Sequence, residues 1–126
     1  MERFFQCLIN AITGLRIAFR SERNLNIQAG FALVTVLTGF AAQLKPKEWI
    51  MTLFCIGSVL TLELVNTAIE ELCNLVDSNH NRAIGKIKDI SAGAVLATAL
   101  FSTLIGAIIF TPYFLNFLKS IEWINF

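Results

Sequence analysis

Glu63, Asn66 and Glu70 stand three and four residues apart, a spacing that puts all three side chains on one face of a helix. They follow a run from Trp49 to Leu62, 14 residues without a charge. An ionisable group inside a membrane helix costs roughly 2.5–3.5 kcal/mol on insertion scales. Two carboxylates so close together therefore need compensation from a metal ion, a polar substrate or a neighbouring subunit. Glu22 lies just before the first apolar run, and Lys88 and Asp89 just before the last. Carboxylates reached by water suit Mg2+, which takes one or two of them together with phosphate oxygens and waters. A lysine beside them neutralises phosphate charge, and a deeper carboxylate in low dielectric can accept a proton from an alcohol. Metal, cation and base are the parts that phosphoryl transfer uses. Neither a G-x-x-x-x-G-K-[ST] loop nor a kinase-type glycine loop is present. Residue types and spacing alone support a polar membrane site at which a metal can act. They equally allow Glu63 and Asn66 as hydrogen-bonding glue between helices, Glu22 as an arginine partner, and Lys88 as a topogenic charge.

The elements that must position these groups are helices in lipid. Apolar residues make up 56% of the 126 and charged residues only 15%, against about 25% in soluble domains. Mean hydropathy is +0.67. No charge falls between Arg23 and Lys45 or between Asp89 and Lys119, gaps of 21 and 29 residues where a span needs about 20. The pattern predicts spans at about 25–44, 48–74 and 90–118, in a single domain over 1–126 whose loops are too short for a second. Residues 4–20 read as an amphipathic helix suited to the headgroup layer, with Phe5, Leu8, Ile9, Ile12, Leu15 and Phe19 on one side. Ser21-Glu22-Arg23-Asn24 reads as a polar hinge, Lys45-Pro46-Lys47 as an outer turn, and Ser78-Asn79-His80-Asn81 as a break. The second span starts near Glu48-Trp49, which puts Glu63 about 22 Å along the helix. That depth is the inner part of the bilayer, with Glu70 about 10 Å further, at the wet interface. Gly93 with Ala97 permits close helix approach, while Pro112 and the tail from Tyr113 to Phe126 suit an interfacial end.

Charge distribution predicts orientation. Arg3, Arg16, Arg20, Arg23, Arg82, Lys86 and Lys88 lie on one side, against Lys45, Lys47 and Lys119 on the other. That asymmetry predicts a cytoplasmic N-terminus and a cytoplasmic 74–90 connection. The N-terminal segment does not read as a cleavable signal, since Gln6, Asn10 and Arg16 interrupt it. A net charge of +1 with no basic stripe gives no sign of nucleic acid. Cys7, Cys55 and Cys73 fit no metal spacing and read as packing residues, and a lone His80 is no metal site.

The run Glu63-Leu-Val-Asn-Thr-Ala-Ile-Glu70, followed by Lys88-Asp89-Ile-Ser-Ala-Gly-Ala-Val-Leu96, resembles the prokaryotic diacylglycerol kinase family, which includes undecaprenol kinases. The resemblance extends to Gly14-Leu15-Arg16 and Glu22 and covers nearly the whole chain. It implies an all-α integral membrane fold, three transmembrane helices plus an N-terminal surface helix, assembled as a homotrimer with sites shared between subunits in the bacterial cytoplasmic membrane. It implies transfer of phosphate from ATP, with Mg2+, to diacylglycerol or undecaprenol. By position, Glu63 matches the general base and Asn66 the asparagine supporting it. Glu22 and Glu70 match the acids that hold Mg2+ with ATP, Lys88 and Asp89 the nucleotide-contacting pair, and Arg3 a further ATP contact. Asn74 stands where the family usually has aspartate, and Asp77 one turn on is a candidate substitute. Asn10 and Asn79-His80-Asn81 also depart from the enterobacterial pattern near the nucleotide. The Ser91–Leu96 segment is closer to the undecaprenol-kinase branch. Two readings from other classes stand beside the lipid kinase: a small proton-coupled transporter, and a catalytically inactive membrane scaffold.

Overall fold

The computed structural model describes residues 1–76 and 81–124, the side chains as far as Ile121. They form four helices: α1 (Glu2–Ser21), α2 (Arg23–Ala42), α3 (Pro46–Val76) and α4 (Arg82–Ile124). The last three are long and apolar enough to cross a membrane. At 1.5 Å per residue α3 is about 46 Å long and α4 about 64 Å, against a hydrocarbon core of about 30 Å. Both therefore run well past the bilayer.

The expected four-residue hinge is a single residue. Glu22 alone is extended (φ −103°, ψ 111°), and its N–H still bonds the Ala18 carbonyl at 2.9 Å. Ser21 closes α1 and Arg23 already opens α2, while the Asn26 amide spans the joint, donating to the Phe19 and Glu22 carbonyls at 2.8 and 2.9 Å. Continuous side-chain bonding to the backbone is why the polar run does not unwind.

At the other end, Gln43 takes a left-handed conformation (φ 57°, ψ 50°) and ends α2, with Leu44 N–H bonding Gly39 O at 3.1 Å. Pro46 then serves as the first residue of α3, where its missing N–H costs nothing. Glu48 folds back to accept from the Lys45 backbone N–H at 2.7 Å and from the Tyr113 hydroxyl at 2.6 Å, tying α3 and α4 to the turn. The ring centroids of Phe40 and Trp49 lie 4.7 Å apart.

The sequence predicts a third span from about 90 that follows a polar stretch, and the helix that contains this span also takes in the polar stretch. This helix, α4, begins at Arg82, its N-terminus capped by Asn81, whose side-chain oxygen accepts from Ala83 N–H at 2.9 Å. The 82–89 part of the expected cytoplasmic connection is thus helix, and α3 likewise continues to Val76. Nor does Pro112 end α4; the helix carries on to Ile124, so the aromatic tail is helical as far as it is described. Of the expected break at 78–81, all but Asn81 lies outside the described residues, as do Asp77 and His80.

The interior is sparse and inverted. Phe31, Phe54, Leu75, Phe101 and Ile108 are each more than two-thirds exposed, as suits a surface facing lipid, while Thr52, Glu63 and Asn66 are buried. Cys7, Cys55 and Cys73 are free thiols, Cys73 buried and Cys7 exposed.

Candidate active site

Glu63 points into the bundle and is only 4% exposed. Its partner comes from the facing helix: the Gln28 side-chain amide donates to Glu63 Oε2 at 3.0 Å. This bond fixes the pairing of α2 with α3, which run in opposite directions. Leu25, fully buried, then lies level with Asn66, one turn beyond Glu63. Glu22 lies six residues before Gln28 and Glu70 seven beyond Glu63, so both half-buried carboxylates sit at the same depth.

Asn66 is buried, and its amide nitrogen donates to Glu70 Oε1 at 2.9 Å. Side chains on a helix lean toward its N-terminus, so Glu70 reaches back one turn and brings its carboxylate closer to Glu63. Glu70 Oε2 has no hydrogen-bond partner among the described residues. The buried Asn66 Oδ1 and Gln28 Oε1 are also without partners. Buried polar atoms are nearly always satisfied, so two open acceptors at one site mark a place for a bound donor. The donor set is all oxygen, from carboxylates and amides, which fits a hard ion such as Mg2+. Among the described residues no group of three or more His, Cys, Asp or Glu converges. An ion here would take Glu22 and Glu70 and complete its shell with phosphate and water.

Lys88 approaches from α4. Its Nζ donates to Asn74 Oδ1, on α3, at 2.7 Å. Glu70 and Asn74 are one turn apart on α3, so the ammonium stands at the C-terminal end of the carboxylate stripe. Asp89 follows on the exposed side of α4. Arg3 is not brought to this place. It is exposed near the start of α1, about 27 Å along that helix from Ser21 and the Glu22 joint. Sequence reasoning did not single out Gln28, a neutral residue that follows Asn24 and Asn26 in the first turns of α2 and is not set apart from them by spacing. From the sequence Asn74 reads as a continuation of the polar face of Glu63, Asn66 and Glu70 and as a replacement for the usual aspartate, and the structure makes it the tether of Lys88.

Residues 9–110 match the family model described as prokaryotic diacylglycerol kinase. An undecaprenol kinase of Bacillus subtilis is 37% identical over 112 residues, 89% of this chain and 91% of the relative. A diacylglycerol kinase of Synechocystis is 36% identical over 110 residues, 84% of this chain but 61% of that longer relative. Family, fold and spans coincide: the chain belongs to the prokaryotic diacylglycerol kinase family and is a multi-pass membrane enzyme of that lipid kinase type.

Proposed function

We propose that this enzyme moves the γ-phosphoryl group of ATP onto the hydroxyl of a membrane lipid alcohol, undecaprenol or diacylglycerol. The observation that carries the reading is a buried carboxylate, Glu63, oriented by an amide from the facing helix and one turn from the Asn66–Glu70 pair. Glu63 accepts the hydroxyl proton as the alcohol oxygen bonds to the γ-phosphorus. The bond from that phosphorus to the bridging oxygen breaks, and ADP leaves. Asn66 supports the site by holding Glu70. Glu22 and Glu70 hold Mg2+, which supplies charge neutralisation for the transferring group. Lys88 adds a positive charge against the phosphates, and Asp89 and Arg3 contact the nucleotide.

In this reading α1 lies along the headgroup layer of the bacterial cytoplasmic membrane, with the N-terminus and the α3–α4 connection on the cytoplasmic side, where ATP is found. All residues form one domain, and three copies assemble with Arg3 supplied to a neighbour's site. The distance of Arg3 from Glu22 within one chain supports that arrangement.

The test is transfer of labelled phosphate from ATP in mixed micelles, with undecaprenol and diacylglycerol offered separately and Mg2+ present or chelated. Labelled lipid should form only with the metal, and Glu63→Gln should lower kcat by about 100- to 10,000-fold, the usual contribution of a general base. The isosteric change removes a buried charge, so the variant's melting temperature should be unchanged or higher. Unaltered kcat in a folded Glu63→Gln enzyme would remove Glu63 from the mechanism. Failure of both lipids would remove the substrate class.

A further inference from the structure

A general base at position 63 serves in two states that ask opposite things of a neighbour. As a carboxylate Glu63 only accepts hydrogen bonds; once it holds the alcohol proton, one oxygen carries an O–H that has to donate. Glu63 is only 4% exposed, so bulk water does not meet that demand, and an unmade bond there is costly. The surrounding helices offer little else. The bonds Asn74–Lys88 and Glu48–Tyr113 set α3 and α4 antiparallel in a register that brings Ala99 level with Glu63. No charge falls on α4 from Ile90 to Leu118, nor on the stretch from Asn24 to Leu44 that holds the rest of α2. On α3 the nearest charges are Glu70 and Glu71, about two turns on. Among the described residues Gln28 is the hydrogen-bond partner of the Glu63 carboxylate, its Nε2 donating to Oε2 at 3.0 Å. The other terminal atom of the same amide, Oε1, is buried and bonds nothing.

We propose that Gln28 is a positioning residue that holds Glu63 in both states by turning its terminal amide over. The proposal rests on the lipid kinase reading and adds how the base keeps its place while it carries a proton. An amide has donors on its nitrogen and lone pairs on its oxygen, and rotation about the last torsion exchanges them while the rest of the side chain stays put. Before transfer the Nε2–H meets the carboxylate, the arrangement seen in the structure. The alcohol O–H bond then breaks, its proton goes to Glu63 Oε2, and the alcohol oxygen bonds to phosphorus. The amide turns, and Oε1 accepts from the new O–H. When Glu63 gives the proton to water during product release, the amide turns back; Gln28 itself gains and loses no proton. Two observations carry this: the cross-helix bond from Nε2, and the unused buried acceptor beside it. A side chain with donors alone, lysine or arginine, pins a carboxylate but has nothing to offer the protonated acid. Glutamine matches a partner that changes from acceptor to donor.

The test gives Glu63 partners that keep both halves of the amide's function, one, or neither. Gln28→Leu has neither donor nor acceptor and should lower kcat about 10- to 100-fold, the worth of a hydrogen bond to a charged group. KM for ATP should stay within about twofold, since the lost bond is made to the base and not to the nucleotide. Gln28→Lys has donors only and should lower kcat at least about tenfold, although it pairs with the carboxylate. Gln28→His presents one ring nitrogen as donor and the other as acceptor, and should keep kcat within about threefold of wild type. Melting temperatures establish that the variants compared are folded. Gln28→Lys as fast as wild type, Gln28→His as slow as Gln28→Leu, or Gln28→Leu at full rate would each overturn the proposal. A second measurement needs no turnover. Infrared spectra of enzyme isotope-labelled in its glutamine side-chain carbonyls, recorded as acid is added, show the Gln28 band, identified by its loss in Gln28→His. That band should move to lower wavenumber as Glu63 takes up a proton and Oε1 gains a donor, and should not move in Glu63→Gln. A band that stays in place in the wild type, or moves equally in both, also overturns it. A band that moves only in the wild type, in an enzyme that phosphorylates no lipid, would keep the turning amide and sink the kinase reading instead.

Discussion

Lys88 carries its charge on a long flexible stem, and one hydrogen bond determines where that charge rests. The ammonium has three donors, of which Asn74 takes one, and in the proposed reaction the other two face phosphate oxygens. Asn74→Leu should therefore raise KM for ATP about three- to tenfold, the usual worth of one hydrogen bond, with a smaller change in kcat. Asn74→Asp keeps an acceptor at the same place and should stay within about twofold of wild type. Steady-state kinetics with ATP varied at saturating lipid give the answer; an unchanged KM in Asn74→Leu would deny Asn74 its role. The two asparagines and Gln28 differ in how readable they are. Asn66 shares a helical face with two carboxylates whose presence in an apolar run is costly, so spacing alone exposes it. Gln28 and Asn74 act across helices, on Glu63 and Lys88, and no spacing within one helix encodes a partner on another.

Helix ends were less legible than helix existence, and the reason is physical. Gaps between charges measure the thickness of hydrocarbon that a chain can cross, not where its backbone bonds stop. The gap from Asp89 to Lys119 marks what lipid can cover, while α4 extends beyond it at both ends because Asn81 caps one end and neither Lys88 nor Pro112 breaks the ladder. Conversely the turn between α2 and α3 is tighter than its residues suggest. Gly39 lies against the Trp49 indole, and a Cβ there would fall 2.9 Å from Trp49 Cη2 and 3.1 Å from Leu44 Cδ1. The helices meet closely only because this residue has no side chain. Gly39→Val should cost about 1–3 kcal/mol through overpacking, seen as a lower melting temperature in detergent. Its effect on kcat of the folded enzyme should be small, because Gly39 lies about 16 Å along α2 from Gln28. A melting temperature at or above wild type would mean that the indole swings aside and that the close contact holds nothing.

At the scale of the whole molecule, a single chain places two bonded pairs one turn apart, Gln28 with Glu63 across α2 and α3 and Asn66 with Glu70 on α3, with Glu22 at the depth of Glu70 and Lys88 beside Asn74. It leaves Arg3 at the far end of a 20-residue helix whose side chains are nearly all exposed. Nothing in the order of residues distinguishes a contact made within one chain from one made between copies, so the resemblance alone supplied the trimer. The geometry makes that expectation testable. If α1 of one copy delivers Arg3 to the next, a working site needs Glu63 from one subunit and Arg3 from its neighbour. Arg3→Ala and Glu63→Gln should each be impaired as pure trimers. Unfolded together in equal amounts and reassembled at random, half the subunits carry Glu63 and half of their neighbours carry Arg3, so about a quarter of the sites should be intact. Activity should rise to about a quarter of wild type, well above the mean of the two parents. Activity equal to that mean would show that both residues serve the same chain's site, and α1 would then have to fold back over its own bundle to bring Arg3 there.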